Sequence, residues 1–334
     1  MIESIFGLGT FATTGSQFVG IVLGDHVFDL DALRHRLESS SASRATSMLD
    51  LLADWDRQFD SARTLVERLE KEGRSSDRFA GAAYALGSLE ALPPVLRPGK
   101  TFNAAANYKD HALGMRKAFS GGAVDMSKDY GFDKTKGRPY FFLRASSTIS
   151  GANSPIELPA WTERTDWEAE LGVVIGLRGK HIPAEKALDH VAGFTITNDV
   201  SCRDLTWRED RPALRSDWLS GKSFDGFAPT GPFFVPRQFI PDYKALQIKL
   251  SVNGVLKQDG LAGDMIFTVE DQIEYASRML AIEPGDLFAT GTPAGTGQER
   301  KEFLKVGDIV ETEIAPLGRQ RNVVVASDNS YVRG

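Results

Sequence analysis

Apolar and polar positions alternate along most of this chain with the period of β-strands. Phe18-Val-Gly-Ile-Val-Leu23 and Val27-Phe-Asp-Leu30, separated by Gly24-Asp25, predict a hairpin. Leu33-Arg-His-Arg-Leu37 has the spacing of a short helix, and the Leu, Trp and Val residues between Leu49 and Leu69 predict a longer one. The Ser-rich run from Ser39 to Ser47 between them reads as a loop. Pro93-Pro-Val-Leu-Arg-Pro-Gly99 then breaks the pattern, because paired prolines cannot continue a helix and favour an extended connection. A boundary falls there. Residues 1–92 form a small α+β module, a cap or oligomerisation unit, and residues 93–334 a larger, mainly β domain.

Beyond the boundary, Leu246-Gln-Ile-Lys-Leu-Ser-Val252 alternates cleanly and runs into Asn253-Gly254, the pair best suited to a type I′ hairpin turn. One long helix is expected from Val269 to Leu280, with Thr268 as N-cap and Asp271 in the capping-box position. Pro183 is placed to open a shorter helix running through Val191 and closed by Gly193. The segment from Arg116 to Gly137 lacks periodicity and is long enough to act as a mobile lid or binding loop.

Composition narrows the class. A chain of 334 residues with 42% hydrophobic content supports one large core plus a smaller module. A net charge of −6 without a dense Lys/Arg run argues against nucleic acid as the main partner. The single Cys202 excludes an internal disulfide framework and a cysteine-based zinc site. No run approaches the roughly 20 apolar residues that span a bilayer, and Met1-Ile-Glu-Ser4 lacks the basic start of a secretory signal. The expectation is a soluble cytoplasmic protein with no membrane partner.

The candidate chemistry centres on Asp166-Trp-Glu-Ala-Glu-Leu-Gly-Val-Val-Ile-Gly176. Its β-branched end reads as a buried strand. Side chains at i and i+2 of a strand share a face, with Cα atoms roughly 6.5–7 Å apart, so Glu168 and Glu170 converge while Trp167 and Ala169 face away. Asp199, at the end of the alternating run Phe194-Thr-Ile-Thr-Asn-Asp-Val-Ser201, offers a third hard oxygen ligand. Three carboxylates with open positions suit Mg²⁺ or Mn²⁺, with Ca²⁺ as a substitute in crystals. There is no G-x-S-x-G elbow and no HExxH, so a serine hydrolase of the α/β type and a zinc protease lack motif support. Lys222 follows a glycine, but Ser216 stands where a nucleotide-binding loop requires glycine.

Around the two glutamates stand, in order, Tyr108-Lys-Asp-His111, Phe141-Phe-Leu-Arg144, Asn198-Asp-Val-Ser-Cys-Arg-Asp204, Gly221-Lys-Ser-Phe-Asp225 and Ala289-Thr-Gly-Thr-Pro-Ala-Gly-Thr-Gly297. This ordered set resembles the fumarylacetoacetate hydrolase family over roughly residues 98–325. The resemblance implies a rolled β domain, commonly in a homodimer, and a Mg²⁺ or Mn²⁺ held by Glu168, Glu170 and Asp199. It implies His111 as general base, Lys222 as the cation that stabilises an enolate or oxyanion, and Thr292, Arg203 and Tyr108 as contacts to a small anionic 2-oxo acid.

Three departures stand out. Small members carry a Glu three residues after the His to orient it, where this chain has Gly114; larger members supply that acid after the Gly-Thr motif, which points to Glu299 or Glu302. Arg144-Ala145 replaces a Lys-Pro pair, and the Arg116–Gly137 segment has no counterpart in compact members. The function implied is hydrolytic cleavage of a C–C bond in a 2,4-dioxo acid of the acylpyruvate or fumarylacetoacetate type, as in breakdown of aromatic or sugar-acid compounds. Two alternatives are a 2-oxo acid decarboxylase, isomerase, tautomerase or hydratase using the same metal–enolate chemistry, and a member that keeps the metal site but has lost efficient catalysis and acts by binding.

Overall fold

The computed structural model describes residues 4–37, 47–74, 76–120, 133–211, 213–214 and 216–328. The predicted hairpin is present: Ser16–Leu23 pairs antiparallel with His26–Asp29. These strands lie in a five-stranded sheet ordered Ala83–Ala85, His26–Asp29, Ser16–Leu23, Gly7–Thr13, Glu90–Leu92. Helix Leu30–Leu37 follows the hairpin.

The single helix expected over Leu49 to Leu69 is two, Met48–Leu52 and Trp55–Glu72. Asp54 breaks them with a non-helical backbone (φ −134°, ψ 52°), in keeping with the preference of aspartate for helix ends over interiors. The break turns Trp55 inward, where its ring packs against Phe59 and Phe234 at 5.5 and 5.7 Å. The predicted Ser-rich loop lies almost wholly outside the described residues; its last residue, Ser47, caps the first of these helices through its side chain, which accepts from Asp50 N at 3.2 Å.

The larger part of the chain builds a six-stranded sheet in the order Val235–Pro236, Val191–Asn198, Ala169–Ile175, Leu287–Ala289, Thr101–Ala104, Phe141–Leu143. A five-stranded sheet accompanies it, ordered Val255–Leu261, Gln247–Val252, Ile309–Ile314, Gly318–Ala326, Ile156–Leu158. The fold is mixed α and β, dominated by sheets that do not close into a barrel. Every residue of Ala169–Ile175 and Val191–Asn198 is buried, the polar Glu170, Thr195, Thr197 and Asn198 included. The N-terminal sheet joins this region through reciprocal backbone bonds between Leu8 and Phe234 at 2.8 and 2.9 Å.

The hairpin turn at Asn253 and Gly254 has positive φ at both residues (51° and 76°), as a type I′ turn requires. Helix Val269–Met279 carries the full Thr268–Asp271 capping box. The helix expected from Pro183 to Val191 is shorter. It spans Ala184–Ala187, a 3-10 turn Leu188–His190 ends it, and Val191 already begins a strand. Gly193 therefore is not a helix stop but a close-approach position in that strand, where a Cβ would stand 2.3 Å from the carbonyl oxygen of Val235. Of the segment expected as a lid, residues 116–120 continue helix Lys109–Ser120, and 121–132 lie outside the described residues. Among the described residues no helix is long and apolar enough to cross a membrane.

Candidate active site

The register of the six-stranded sheet gathers the chemistry at one end. Ala169 pairs with Asn198, Gly172 with Ala289, Ala289 with Asn103, and Ala104 with Phe141. The residues just past those positions surround one cavity of about 360 Å³. Glu168 and Glu170 flank the start of Ala169–Ile175, and Asp199 follows the end of the neighbouring strand, where its N–H donates to Glu168 O at 2.8 Å. One carboxylate oxygen from each of the three lies within 4.8 Å of the others, and all three residues are buried. That spread fits a single cation with oxygen ligands at about 2.0–2.6 Å, since two ligands on opposite sides are then about 4–5 Å apart.

Three basic side chains serve this cluster. Lys222 Nζ donates to Glu168 Oε2 at 2.6 Å and to Asp199 Oδ2 at 2.8 Å. Arg144 bonds Asp199 and the carbonyl oxygen of Lys222. Arg203 pairs with Glu168 and, through Nε at 2.8 Å, with Asp166. Burial pushes the Glu168 carboxyl up, but Arg203, Lys222 and His111 outweigh it and hold it well below the usual carboxylate range. Glu170 goes the other way: burial first, then Asp199 and Glu168, raise it well above that range. Its Oε2 accepts from Gly291 N at 2.8 Å, and among the described residues no basic side chain pairs with it. A buried carboxylate of this kind, aimed at two others, is what a divalent cation satisfies, and the all-oxygen donor set suits a hard one.

His111 lies on helix Lys109–Ser120 and lines the same cavity. Its Nδ1 stands 2.6 Å from Glu299 Oε1. Glu299 is itself fixed, accepting from Thr296 Oγ1 at 3.1 Å and from Gly295 N at 2.9 Å. Of the two acids named from sequence, Glu299 meets the histidine, whereas Glu302 turns outward to Lys257.

The expected substrate contacts divide. Arg203 and Thr292 line the cavity, but both are engaged: Arg203 as above, and Thr292 Oγ1 donating to Ala169 O and accepting from Gln258 Nε2, each at 2.8 Å. Tyr108 is not among the lining residues. Its side chain is packed in the core, its hydroxyl has no hydrogen-bond partner among the described residues, and burial with the nearby Glu170 raises its pKa well above normal. The cavity also has an apolar lining, formed by Ala104, Ala105, Ala106, Ala112, Met115 and the aromatic set Tyr140, Phe142 and Trp218. Trp218 stacks on Phe142 at 4.8 Å, and Lys222 Nζ lies 5.5 Å from the Phe142 ring centre.

Comparison with known proteins settles the family. A family model described as fumarylacetoacetate (FAA) hydrolase C-terminal matches residues 100–325. The chain belongs to the fumarylacetoacetate hydrolase family. Members of the family use divalent metals, and the buried acidic triad can hold one here. Every residue placed above around the cavity lies within the matched span.

Within the family, similar proteins include the mitochondrial oxaloacetate tautomerase fahd2 of Xenopus laevis, 40% identical over 71% of this chain and 69% of that one. The oxaloacetate tautomerase YisK of Bacillus subtilis is 32% identical over 92% and 96%. Among solved structures, a fumarylacetoacetate hydrolase from Exiguobacterium antarcticum matches with a TM-score of 0.71 at 28% identity, over 96% of this chain and all of that one. A maleylpyruvate hydrolase from Sphingobium matches with a TM-score of 0.69 at 26% identity over the same shares. The chain is thus an enzyme of the fumarylacetoacetate hydrolase family.

Three residues of the family site carry more than the sequence indicated. Asp166, the first residue of the central motif, is fully buried and bonds both Arg203 and the segment that carries Glu299. Arg144, visible in sequence only as a departure from the family pattern, is the fully buried partner of a triad carboxylate. Gln258 lies in the hairpin strand Val255–Leu261 and holds Thr292 and Ala169 N; a polar residue in an exposed edge strand gave no signal for that role.

Proposed function

We propose that this enzyme interconverts the keto and enol forms of a small 2-oxo acid, with oxaloacetate as the first substrate to test. The observation that carries this reading is the His111–Glu299 pair standing in the same cavity as the acidic triad. The relatives named oxaloacetate tautomerases support the same choice. Glu168, Glu170 and Asp199 would hold Mg²⁺ or Mn²⁺. Such a cation, when bound, polarises a 2-oxo group and stabilises negative charge on its oxygen.

The protein's own groups account for the proton movements. Glu299 commits the Nδ1 of His111 as a donor and leaves Nε2 as the basic nitrogen, the tautomer needed for proton transfer in the cavity. Nε2 takes a proton from C3 of the keto acid, the C–H electron pair becomes the C2–C3 double bond, and negative charge collects on the C2 oxygen. The Lys222 ammonium lies beside the two carboxylates where that charge develops, and stabilises it. Delivery of the proton held on His111 Nε2 to that oxygen, directly or through a water, completes the enol and restores the neutral imidazole, and the reverse sequence gives the keto form. The apolar aromatic wall limits water around the reacting carbon.

Hydrolytic cleavage of a 2,4-dioxo acid is the second reading, favoured by the same dyad, since a histidine held by a carboxylate can also deprotonate water. The likeness to the maleylpyruvate hydrolase structure supports it. A binding-only role is disfavoured by the full set of acid–base and cationic groups in one cavity. A panel of enol and keto oxaloacetate, acylpyruvates and longer dioxo acids, supplied with Mg²⁺ or Mn²⁺ and read by product mass and absorbance, separates these readings. We expect accelerated ketonisation of oxaloacetate. Acylpyruvate cleavage with no effect on the keto–enol equilibration rate would make the enzyme a hydrolase, and no turnover with the metal bound would make it a binding protein. The homodimer implied by the family is tested by light scattering on the same preparation.

A further inference from the structure

We propose that Asp166 is a positioning residue: its buried carboxylate seats the one-turn helix that bears Glu299 and, through Arg203, ties that helix to Glu168. The inference rests on the acid–base role given above to the His111–Glu299 pair.

Asp166 is fully buried, and a carboxylate in that setting is tolerated only when its acceptor capacity is filled. It accepts from Trp167 N at 2.7 Å, Gly297 N at 2.5 Å, Gln298 N at 2.9 Å and Arg203 Nε at 2.8 Å. Two of those donors open helix Gly297–Arg300, a single turn too short to hold itself in water. The helix lacks an ordinary cap. Thr296, at its N-cap, makes no capping bond and spends its hydroxyl on Glu299. Asp166 therefore supplies from a distant strand what the local sequence does not.

Gly297 fits this contact. A Cβ there would stand 2.7 Å from Asp166 Oδ1 and 2.1 Å from the carbonyl oxygen of Glu302, so a side chain would displace the helix from its anchor. At the other side of Asp166, the Arg203 guanidinium holds Asp166 with Nε and Glu168 with Nη2. A triad carboxylate and the acid that orients the base are thus placed from one buried point. A purely structural Asp166 would support the fold; a positioning Asp166 acts on the rate through Glu299.

The test compares wild type, Asp166→Asn, Glu299→Gln and the double variant, as full chains loaded with Mn²⁺, for kcat and KM on oxaloacetate ketonisation. Mn²⁺ affinity is measured by calorimetry and melting temperature by dichroism. We expect Asp166→Asn to lower kcat about 10- to 100-fold, with KM and Mn²⁺ affinity changed less than about 3-fold. The double variant should be within about 2-fold of Glu299→Gln alone, because both changes remove one device. In metal-free protein, the hydrogen-bonded Nδ1 proton signal of His111 should vanish in both single variants. Gly297→Ala, which keeps the Asp166 carboxylate, should reproduce the kcat loss and serves if Asp166→Asn fails to fold. Losses that multiply in the double variant, or an Asp166→Asn loss matched by its loss of Mn²⁺ affinity, overturn the positioning role. A wild-type rate in Glu299→Gln overturns the acid–base reading itself, and this inference with it.

Discussion

Glu299 occupies the space that a side chain at Gly114 would need: a Cβ at Gly114 would stand 2.8 Å from the Glu299 carboxyl carbon. The two positions are far apart in sequence, yet one excludes the other. The glycine that seemed to leave His111 without a partner is what lets a carboxylate from the far end of the domain reach its Nδ1. Glu299→Gln should lower turnover about 10²- to 10⁴-fold, the range for losing positioned acid–base catalysis. Glu302→Gln, which affects only a surface pair with Lys257, should leave turnover near wild type. Gly114→Ala should also slow the enzyme, because it presses on Glu299. Steady-state kinetics on the three variants decides the matter; a slow Glu302→Gln beside a normal Glu299→Gln would reverse the assignment.

Turnover should depend on a divalent cation. Three buried carboxylates this close repel one another unless a cation or proton intervenes, and Glu170 has no basic partner among the described residues. Chelation should abolish activity, and added Mg²⁺ or Mn²⁺ should restore it. Glu168→Ala and Glu170→Ala should each weaken Mn²⁺ binding in calorimetry while the dichroism spectrum stays native. Full activity after chelation, with metal absence verified by elemental analysis, would sink the metal-dependent account.

Lys222 lines the cavity and faces two carboxylates of the triad, the place proposed above for an enolate oxygen. Lys222→Ala should therefore impair ketonisation of oxaloacetate and any decarboxylation of it alike, each by about 10²-fold or more, since both pass through the same charged species. Retention of either activity at the wild-type rate would place the developing charge elsewhere.

Cys202 should be inert in the folded protein. Burial pushes its thiol up to about 11, so at pH 7 to 9 the thiolate that reacts with alkylating reagents is scarce as well as inaccessible. A thiol titration should read no free thiol at pH 8 until denaturant is added, and reactivity should rise only as the pH approaches that value. Rapid labelling of native enzyme at pH 7 with loss of activity would reopen a role for this residue.

Much of the site was legible because its residues sit in short motifs at strand ends, where alternation fixes which side chains converge. Glu168, Glu170 and Asp199 fall together from the i, i+2 rule and the pairing of two adjacent strands. The hairpin at Asn253-Gly254 and the capping box at Thr268 were equally local, and both are present. What sequence could not supply was contact across long separations. Glu299 lies on the one-turn helix Gly297–Arg300 and Glu302 just beyond it, and which of them meets His111, 188 residues before Glu299, is a tertiary contact. The engagement of Arg203 with Asp166 and Glu168, and the withdrawal of Tyr108 into the core, likewise depend on tertiary packing that no periodicity reports. The helix break at Asp54 is a local effect of that aspartate, whereas the strand at Gly193 depends on its pairing with Val235–Pro236.

We expect His111, oriented by Glu299, to move the proton at C3 of a 2-oxo acid. The most direct test is proton NMR of oxaloacetate in deuterated solvent with Mg²⁺, following exchange at C3 in wild type and His111→Ala. Exchange should be well above the metal-only background in wild type and close to that background in His111→Ala, at equal metal occupancy. Exchange in His111→Ala as fast as in wild type would contradict that role.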